Sequence, residues 1–253
     1  MSPKLLIGCP IYKREWIIEH WLLDIEKQSF PLDEIGFIFE LGDNDDLTHQ
    51  ILFDWHHDHP EVEIFDARVN NKEKHYEHPE GHRAWSYTKY YAMIEFRNNL
   101  LELATCYSPE KYFSLDSDIL LEDPDTIQKL WDYSEREDID AVAPLMYMTP
   151  RGKDYPSVMT WANDSKRANR HLSEYPIGAL FQADVIMAAK MMSRPVYENV
   201  RYVFHPQGED LGWSRECKRL GYKLWSASNI YSPHIMSQSA YTEYKESGDN
   251  RAP

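Results

Sequence analysis

The feature that most constrains this chain is the alternation of short apolar runs with stretches of helical period along its first 145 residues. Residues 4–9 form an apolar run closed by Pro10, after which Trp16, Ile17, Trp21, Leu22 and Ile25 recur at helical spacing until Pro31 stops the chain. A second run at 35–41 ends in the turn-rich stretch 42–46, a helix follows through about His57, and a third strand is predicted at 62–65. Residues 68–86 read as polar and irregular, and the next helix carries Met93, Phe96, Leu100 and Leu103 on one face. Strands at 112–115 and 140–143 enclose a helix at 127–133. Such alternation needs crossover connections, so the expected fold class is α/β, a mostly parallel sheet with helices on both faces. Beyond Pro144 the rhythm breaks. Residues 146–176 are polar and turn-rich, followed by a strand at 178–181, a Met-rich helix and a helix–strand pair over 210–227. The tail after Ser237 reads as fraying. One domain over 1–253 is expected, in two halves (about 1–145 and 146–236) with a tail at 237–253.

Composition narrows the function classes. With 253 residues, 42% of them hydrophobic, the chain is long enough for a sizeable core. No apolar run of about 18 residues exists, so no membrane insertion is expected. Leu5, Leu6 and Ile7 are too soon interrupted by Pro10 and Lys13 to read as a secretion signal. The three cysteines (Cys9, Cys106, Cys217) are scattered, which excludes a disulfide framework and a thiolate zinc site. A cytoplasmic setting, in a bacterial or virus-infected cell, is the expectation. A net charge of -15 weighs against wholesale binding to nucleic-acid phosphates.

In open parallel sheets ligands sit beyond the carboxyl ends of the strands, and four constellations stand there. Asp116-Ser117-Asp118 follows a strand. On extended chain, residues two apart point to the same side, so both carboxylates are expected to converge on one cation. Oxygen ligands with open positions suit Mn²⁺ or Mg²⁺ bridged to phosphates, which neutralises a departing diphosphate. Gly208-Glu209-Asp210 opens a helix whose stripe includes Trp213, Cys217 and Leu220. Asp210 there either caps the helix or, kept ionised by the positive helix end, serves as a general base. Arg97-Asn98 lies on or beside the buried face of its helix, and an inward guanidinium requires an anionic partner, either a carboxylate or a diphosphate. Glu40 to Asp45, after the second strand, offers carboxylates to a base or ribose, though a turn would use the same residues.

Other signals fail. Asp43 to Asp45 begins like a calcium loop, but Thr48 holds the required glycine position. The run His56-His57-Asp58-His59 reads as a helix end. No GxGxxG, P-loop or GxSxG is present.

The order of these motifs resembles that of A-type-fold (GT-A) glycosyltransferases, in particular family-two-like sequences and yeast-type mannosyltransferases. Cys9-Pro10-Ile11-Tyr12-Lys13-Arg14 loosely matches their first-strand motif, and Glu40-Leu41-Gly42-Asp43-Asn44-Asp45 matches their second with Glu and Leu for two aspartates. Phe96-Arg97-Asn98, Asp116-Ser117-Asp118, Glu209-Asp210 and Gly221-Tyr222 follow in order, and His234 stands after the last core strand. The likeness spans about residues 4–236. It implies a metal-dependent transfer of a hexose from a nucleotide-diphosphate sugar, uridine by default, to an acceptor hydroxyl. It also implies a nucleotide-binding half before about residue 145 and an acceptor-side half after it. Glu40 would lie at the nucleobase, Asp116 at ribose and sugar, and Asp118 with Asp116 and His234 on Mn²⁺ or Mg²⁺. Asp210 would be the base, beside Glu209, in an inverting reaction. Pro10, Tyr12, Arg14, Asp45, Arg97, Ser117, Gly178 and Trp213 complete the expected donor-binding set.

The acceptor is read from charge. Arg151, Lys153, Lys166, Arg167 and Arg170 face only Asp154 and Asp164 in the inserted segment, so Arg151, Lys166, Arg167 and Arg170 are candidate acceptor contacts. An anionic partner, such as DNA carrying a hydroxymethylated base, and a cell-surface glycan both remain open. So do two other function classes: a haloacid-type phosphohydrolase, whose chemistry also starts from strand–Asp-x-Asp, and a non-catalytic sugar-binding module in which Asp210 only caps its helix.

Overall fold

A computed structural model describes residues 2–42, 45–70, 87–149, 156–161, 168–171 and 175–247. The first half runs β1 (Leu5–Ile11), α1 (Ile18–Glu26), β2 (Ile35–Gly42), α2 (Thr48–Asp58), β3 (Glu63–Asn70), α3 (Tyr87–Tyr107), β4 (Lys111–Leu115) and α4 (Thr126–Ser134). It continues with β5 (Ala141–Thr149), β6 (Val158–Trp161), β7 (Ala168–His171), β8 (Leu180–Ala183), β9 (Val185–Ile186) and β10 (Ala189–Ser193). The chain then forms α5 (Arg194–Asn199), α6 (Glu209–Arg219), β11 (Leu224–Ile235) and α7 (Gln238–Ser247). Eight strands make one sheet in the order β3-β2-β1-β4-β10-β5-β11-β8. The neighbours of β1 and β2 are parallel, as are β5 and β11, while β10 and the edge strand β8 run antiparallel. A small sheet, β7-β6-β9, stands apart. The expected mostly parallel α/β layer is therefore present.

Period-2 alternation supplies both cores. Leu5, Ile7 and Phe113 face α1, α4 and α7, whereas Leu6, Ile38 and Tyr112 face α3, α5 and α6. Among the described residues no helix is long and apolar enough to cross a membrane.

Four expectations are corrected. The Met-rich segment is not a helix: Met191 and Met192 lie in β10, wedged between β4 and β5. A run this short fits either period, and the vacant slot in the sheet decides it. The strand expected at 140–143 continues through Pro144 to Thr149. Proline has no N–H for the ladder, and β11 shifts register between Ala227 and Tyr231, beside Pro144. The strand expected at 62–65 runs on to Asn70, into a stretch read as irregular. Residues 238–247 of the tail form helix α7, which buries Ala240 and Tyr241 against the α1 side of the core, and residues 248–253 lie outside the described residues.

Candidate active site

The carboxyl ends of β1 and β4, the first turn of α6 and the end of β11 surround one cleft of about 380 Å³. Pro10, Tyr12, Arg14, Arg97, Asp116, Ser117, Asp118, Glu209, Asp210 and His234 all line it. Residues 112 and 104 positions apart in sequence meet there, Arg97 with Glu209 and Arg14 with Asp118.

β4 ends at Leu115, and residues 116–118 turn, closed by the Ile119 N–H to the Asp116 carbonyl at 3.2 Å. The two aspartates are therefore not on extended chain, and they part. Asp116 Oδ2 accepts from Arg97 at 2.9 Å, whereas Asp118 accepts from Arg14 at 3.1 Å and lies 3.3 Å from His234 Nε2. The turn thus ends the alternation that would have put both carboxylates on one side, and each finds a different protein partner. Ser117 Oγ donates to the Pro10 carbonyl at 3.3 Å, and the Trp21 indole donates to the Asp116 carbonyl at 3.1 Å, which fixes the turn against β1 and α1.

On the outer side, burial alone would raise the Asp118 carboxyl, but His234 and Arg14 outweigh it and hold Asp118 well below the usual carboxylate range. Burial would lower His234, and Asp118 more than reverses that, so its imidazole is held above its ordinary value. Arg14 is itself held by the Tyr12 carbonyl at 3.0 Å and lies over the Trp16 ring.

The inner side is drier. Arg97 is 3% exposed and bridges Asp116 and Glu209, with Ser114 Oγ at 3.4 Å. Its partners are carboxylates, the first of the two alternatives the sequence left open. Asn98 exchanges two hydrogen bonds with the Tyr202 backbone, at 3.0 and 2.8 Å. Asp210 does not cap α6: its N-cap, Gly208, has φ 135° and makes no side-chain cap. Asp210 instead accepts from the Ala188 N–H at 3.1 Å and from Lys190 Nζ at 2.5 Å. Burial would raise its carboxyl, but Lys190 and then Arg97 hold it below the usual range. Glu209, pushed by burial and by Asp210, is raised despite Arg97. Gly212 lets α6 come this close, since a Cβ there would stand 1.9 Å from the Val203 carbonyl oxygen.

Four expected donor contacts lie elsewhere. Trp213 is fully buried in the core, where a helix stripe residue packs against the sheet. Glu40 is 3% exposed and accepts from Asn99 at 3.2 Å. Asp45 pairs with Lys13 at the surface, and Gly178 serves a turn at φ 67° before β8. The basic acceptor face lies outside the described residues: Arg151, Lys166 and Arg167 are not among them, and Arg170 is described only through its backbone pairing with Thr160. Sequence reasoning missed Lys190, Tyr90, Met187 and Gln207. Lys190 was hidden by the helix expected there; alternation of Lys190 and Met192 against Ala189 and Met191 is the signal that would have found it.

A divalent cation at this site would need oxygen and nitrogen donors from these side chains. Among the described residues no three His, Cys, Asp or Glu side chains form a metal-holding group. The pair Asp118–His234 nevertheless fits two adjacent positions of a shell, since octahedral bonds of about 2.1 Å put neighbouring ligands roughly 3 Å apart. Asp116 Oδ1 is buried and has no hydrogen-bond partner among the described residues. Mn²⁺ and Mg²⁺ commonly use one or two side chains and take the remaining oxygens from phosphates and water, which suits this set.

Comparison with known proteins agrees with the geometry. A glycosyltransferase 25 family member of Aedes aegypti is 26% identical over 152 residues, which cover 57% of this chain and 23% of the relative. The chain thus spans less than a quarter of that relative's length. A Pyrobaculum calidifontis mannosyltransferase solved with GDP-Man and Mn2+ superposes with TM-score 0.60 at 15% identity, covering 100% of this chain and 66% of that one. S. aureus TarS 1-349 in complex with UDP-GlcNAc gives TM-score 0.62 at 15% identity, covering 92% and 59%. These likenesses show the fold, a GT-A glycosyltransferase fold. The model of the glycosyltransferase family 25 N-terminal domain matches residues 2–210, most of the chain, and the phosphohydrolase reading falls with that match. The protein therefore belongs to glycosyltransferase family 25.

Proposed function

We propose that the protein transfers a hexose from a nucleotide-diphosphate sugar, UDP-linked, to an acceptor hydroxyl with inversion, Asp210 acting as general base. The observation that carries this reading is Asp210 itself. It is a carboxylate held ionised in the lining of a cleft that Arg14, Asp118 and His234 also line. In the reaction the acceptor oxygen forms a bond to the anomeric carbon, the bond from that carbon to the diphosphate breaks, and the acceptor proton passes to Asp210. Arg14 faces the departing diphosphate, which gathers negative charge as the bond opens. Asp118 and His234 would hold Mn²⁺ or Mg²⁺, whose chemistry is to neutralise that charge. Two structural neighbours were solved with Mn2+, and others with UDP or a UDP-sugar, which supports the donor class. Arg97 positions Asp116 and Glu209 rather than reaching the donor. The acceptor is a hydroxyl compound; no described residue favours DNA.

The test is release of UDP from a panel of UDP-hexoses by the parent and by Asp210→Asn. Asparagine keeps the shape and loses the basicity, so turnover should fall by about 10²–10⁴ while donor affinity stays near that of the parent. Equal turnover would remove Asp210 as the base. Donor binding without turnover in the parent, across all acceptors tried, would favour the sugar-binding module.

A further inference from the structure

Lys190 is the least expected residue of the interior. It is fully buried, and an unpaired ammonium there would be strongly unfavourable. Its register in β10, opposite Ser114 of β4, puts its side chain on the sheet face covered by α3 and α6. The ammonium lies 4.9 Å from the centroid of the Trp213 ring and 5.3 Å from that of Tyr202, and its nearest anion is Asp210. The charges around Asp210 are Lys190 on β10, Arg97 on α3, Glu209 on α6 and Asp116 after β4, with the Tyr202 hydroxyl the neutral group beside them. Three carboxylates thus face two cations. Arg97 already serves Asp116 and Glu209 directly.

We infer that Lys190 is a positioning residue: it keeps Asp210 ionised inside the protein and, with the Ala188 N–H, fixes the plane of its carboxylate so that the remaining lone pairs face the cleft. The functional half of this inference rests on Asp210 being the base; the electrostatic half does not. Without Lys190 a desolvated Asp210 beside two other carboxylates takes up a proton, because burial and like charge both favour the neutral acid. The pairing also explains the rings. Trp213 and Tyr202 form an apolar, cation-compatible sleeve that leaves the ammonium only one strong partner.

The experiment compares the parent, Lys190→Met, Asp210→Asn and the double variant by urea unfolding between pH 4 and 8, together with UDP release from the UDP-hexose the parent accepts. Lys190→Met should lose little stability at pH 4 and progressively more toward pH 8, and that pH-dependent loss should vanish in the double variant. A loss equal at all pH values, or undiminished in the double variant, would overturn the inference. If Lys190→Met does not fold at neutral pH, folding of the double variant supports the inference and its failure refutes it. In turnover, Lys190→Met should be about 10²-fold slower at pH 7 and recover as pH rises, because alkali restores the Asp210 carboxylate. Lys190→Gln should behave likewise. An unshifted pH profile beside an inactive Asp210→Asn counts against Lys190 alone. Full turnover by Asp210→Asn counts against the base and leaves the unfolding data to judge Lys190.

Discussion

The two walls of the cleft are each built from carboxylates paired with cationic side chains and solve different problems. On the outer wall Arg14, Asp118 and His234 form a short chain with side chains 29%, 12% and 17% exposed. On the inner wall the cations are drier, Arg97 and Lys190 being 3% and 0% exposed, while the carboxylates they hold, Asp116, Glu209 and Asp210, are 18%, 7% and 12% exposed. A partly hydrated cation such as Arg14 can exchange a protein partner for a ligand at little loss. The dry cations Arg97 and Lys190 cannot, because breaking one contact strands a charge in a medium that does not solvate it. On the function proposed above, the outer wall receives diphosphate and metal, and the inner wall holds the base in place.

The largest test of this contrast is Arg97→Ala. It strands Asp116 and Glu209 together, and unfolding in urea should show a loss of about 3–5 kcal/mol. Lysine should not restore it, since one ammonium cannot span both carboxylates as the guanidinium does. A loss below 1 kcal/mol would make the inner network a surface-like array and break the comparison.

Gly212→Ala tests the same wall without touching a charge. The added Cβ meets backbone at Val203 rather than a movable side chain, so α6 must shift. The expected loss is about 1–3 kcal/mol, with a fall in turnover because Asp210 moves with its helix.

The outer wall should respond in the opposite currency. Asp118→Asn and His234→Ala should each weaken calorimetric binding of UDP with Mn²⁺ at least about tenfold. Equal affinity in the parent and both variants, with metal or with chelator, would end the metal role assigned to this pair.

The smallest effect is expected at Asp24, which serves as a control for both walls. It is 5% exposed, its Oδ2 has no hydrogen-bond partner among the described residues, and its cations are distant, Lys27 at 3.8 Å and His20 at 3.6 Å. Burial therefore prevails and raises its carboxyl to about 6, opposite in sign to Asp118 and Asp210. A raised acid binds its proton more tightly folded than unfolded. Its contribution is complete below about pH 4 and disappears as pH rises through about 6. Asp24→Asn should thus stabilise the protein by about 1–2 kcal/mol at pH 7 and by almost nothing at pH 4, read from denaturation midpoints at the two pH values.

Much of the site is legible in the sequence. The ends of β1 and β4 and the start of α6 were located because apolar runs and turn residues mark them, and Asp118, Asp210 and His234 were singled out from their order along the chain. Partner choice was not legible. Asp116 and Asp118 look equivalent in sequence, and only the turn after Leu115 sends one to Arg97 and the other to Arg14 and His234. Trp213 looked like a donor contact and is core, because whether a helix stripe faces a cleft or a sheet depends on what packs against it.

By itself the sequence determined the strand–helix alternation, and with it a doubly covered, mostly parallel sheet whose strand ends carry carboxylates. These properties are local: period, turn chemistry and the positions of proline and glycine act over a few residues. Tertiary structure decided which charges meet. It laid the Met-rich segment into the slot between β4 and β5 as a strand, and so delivered Lys190 to Asp210, 20 residues away. Either secondary structure would bury those methionines about equally well. The choice rests on unsatisfied backbone groups of β4 and β5 and on a buried carboxylate needing a cation, and neither exists until the sheet has formed.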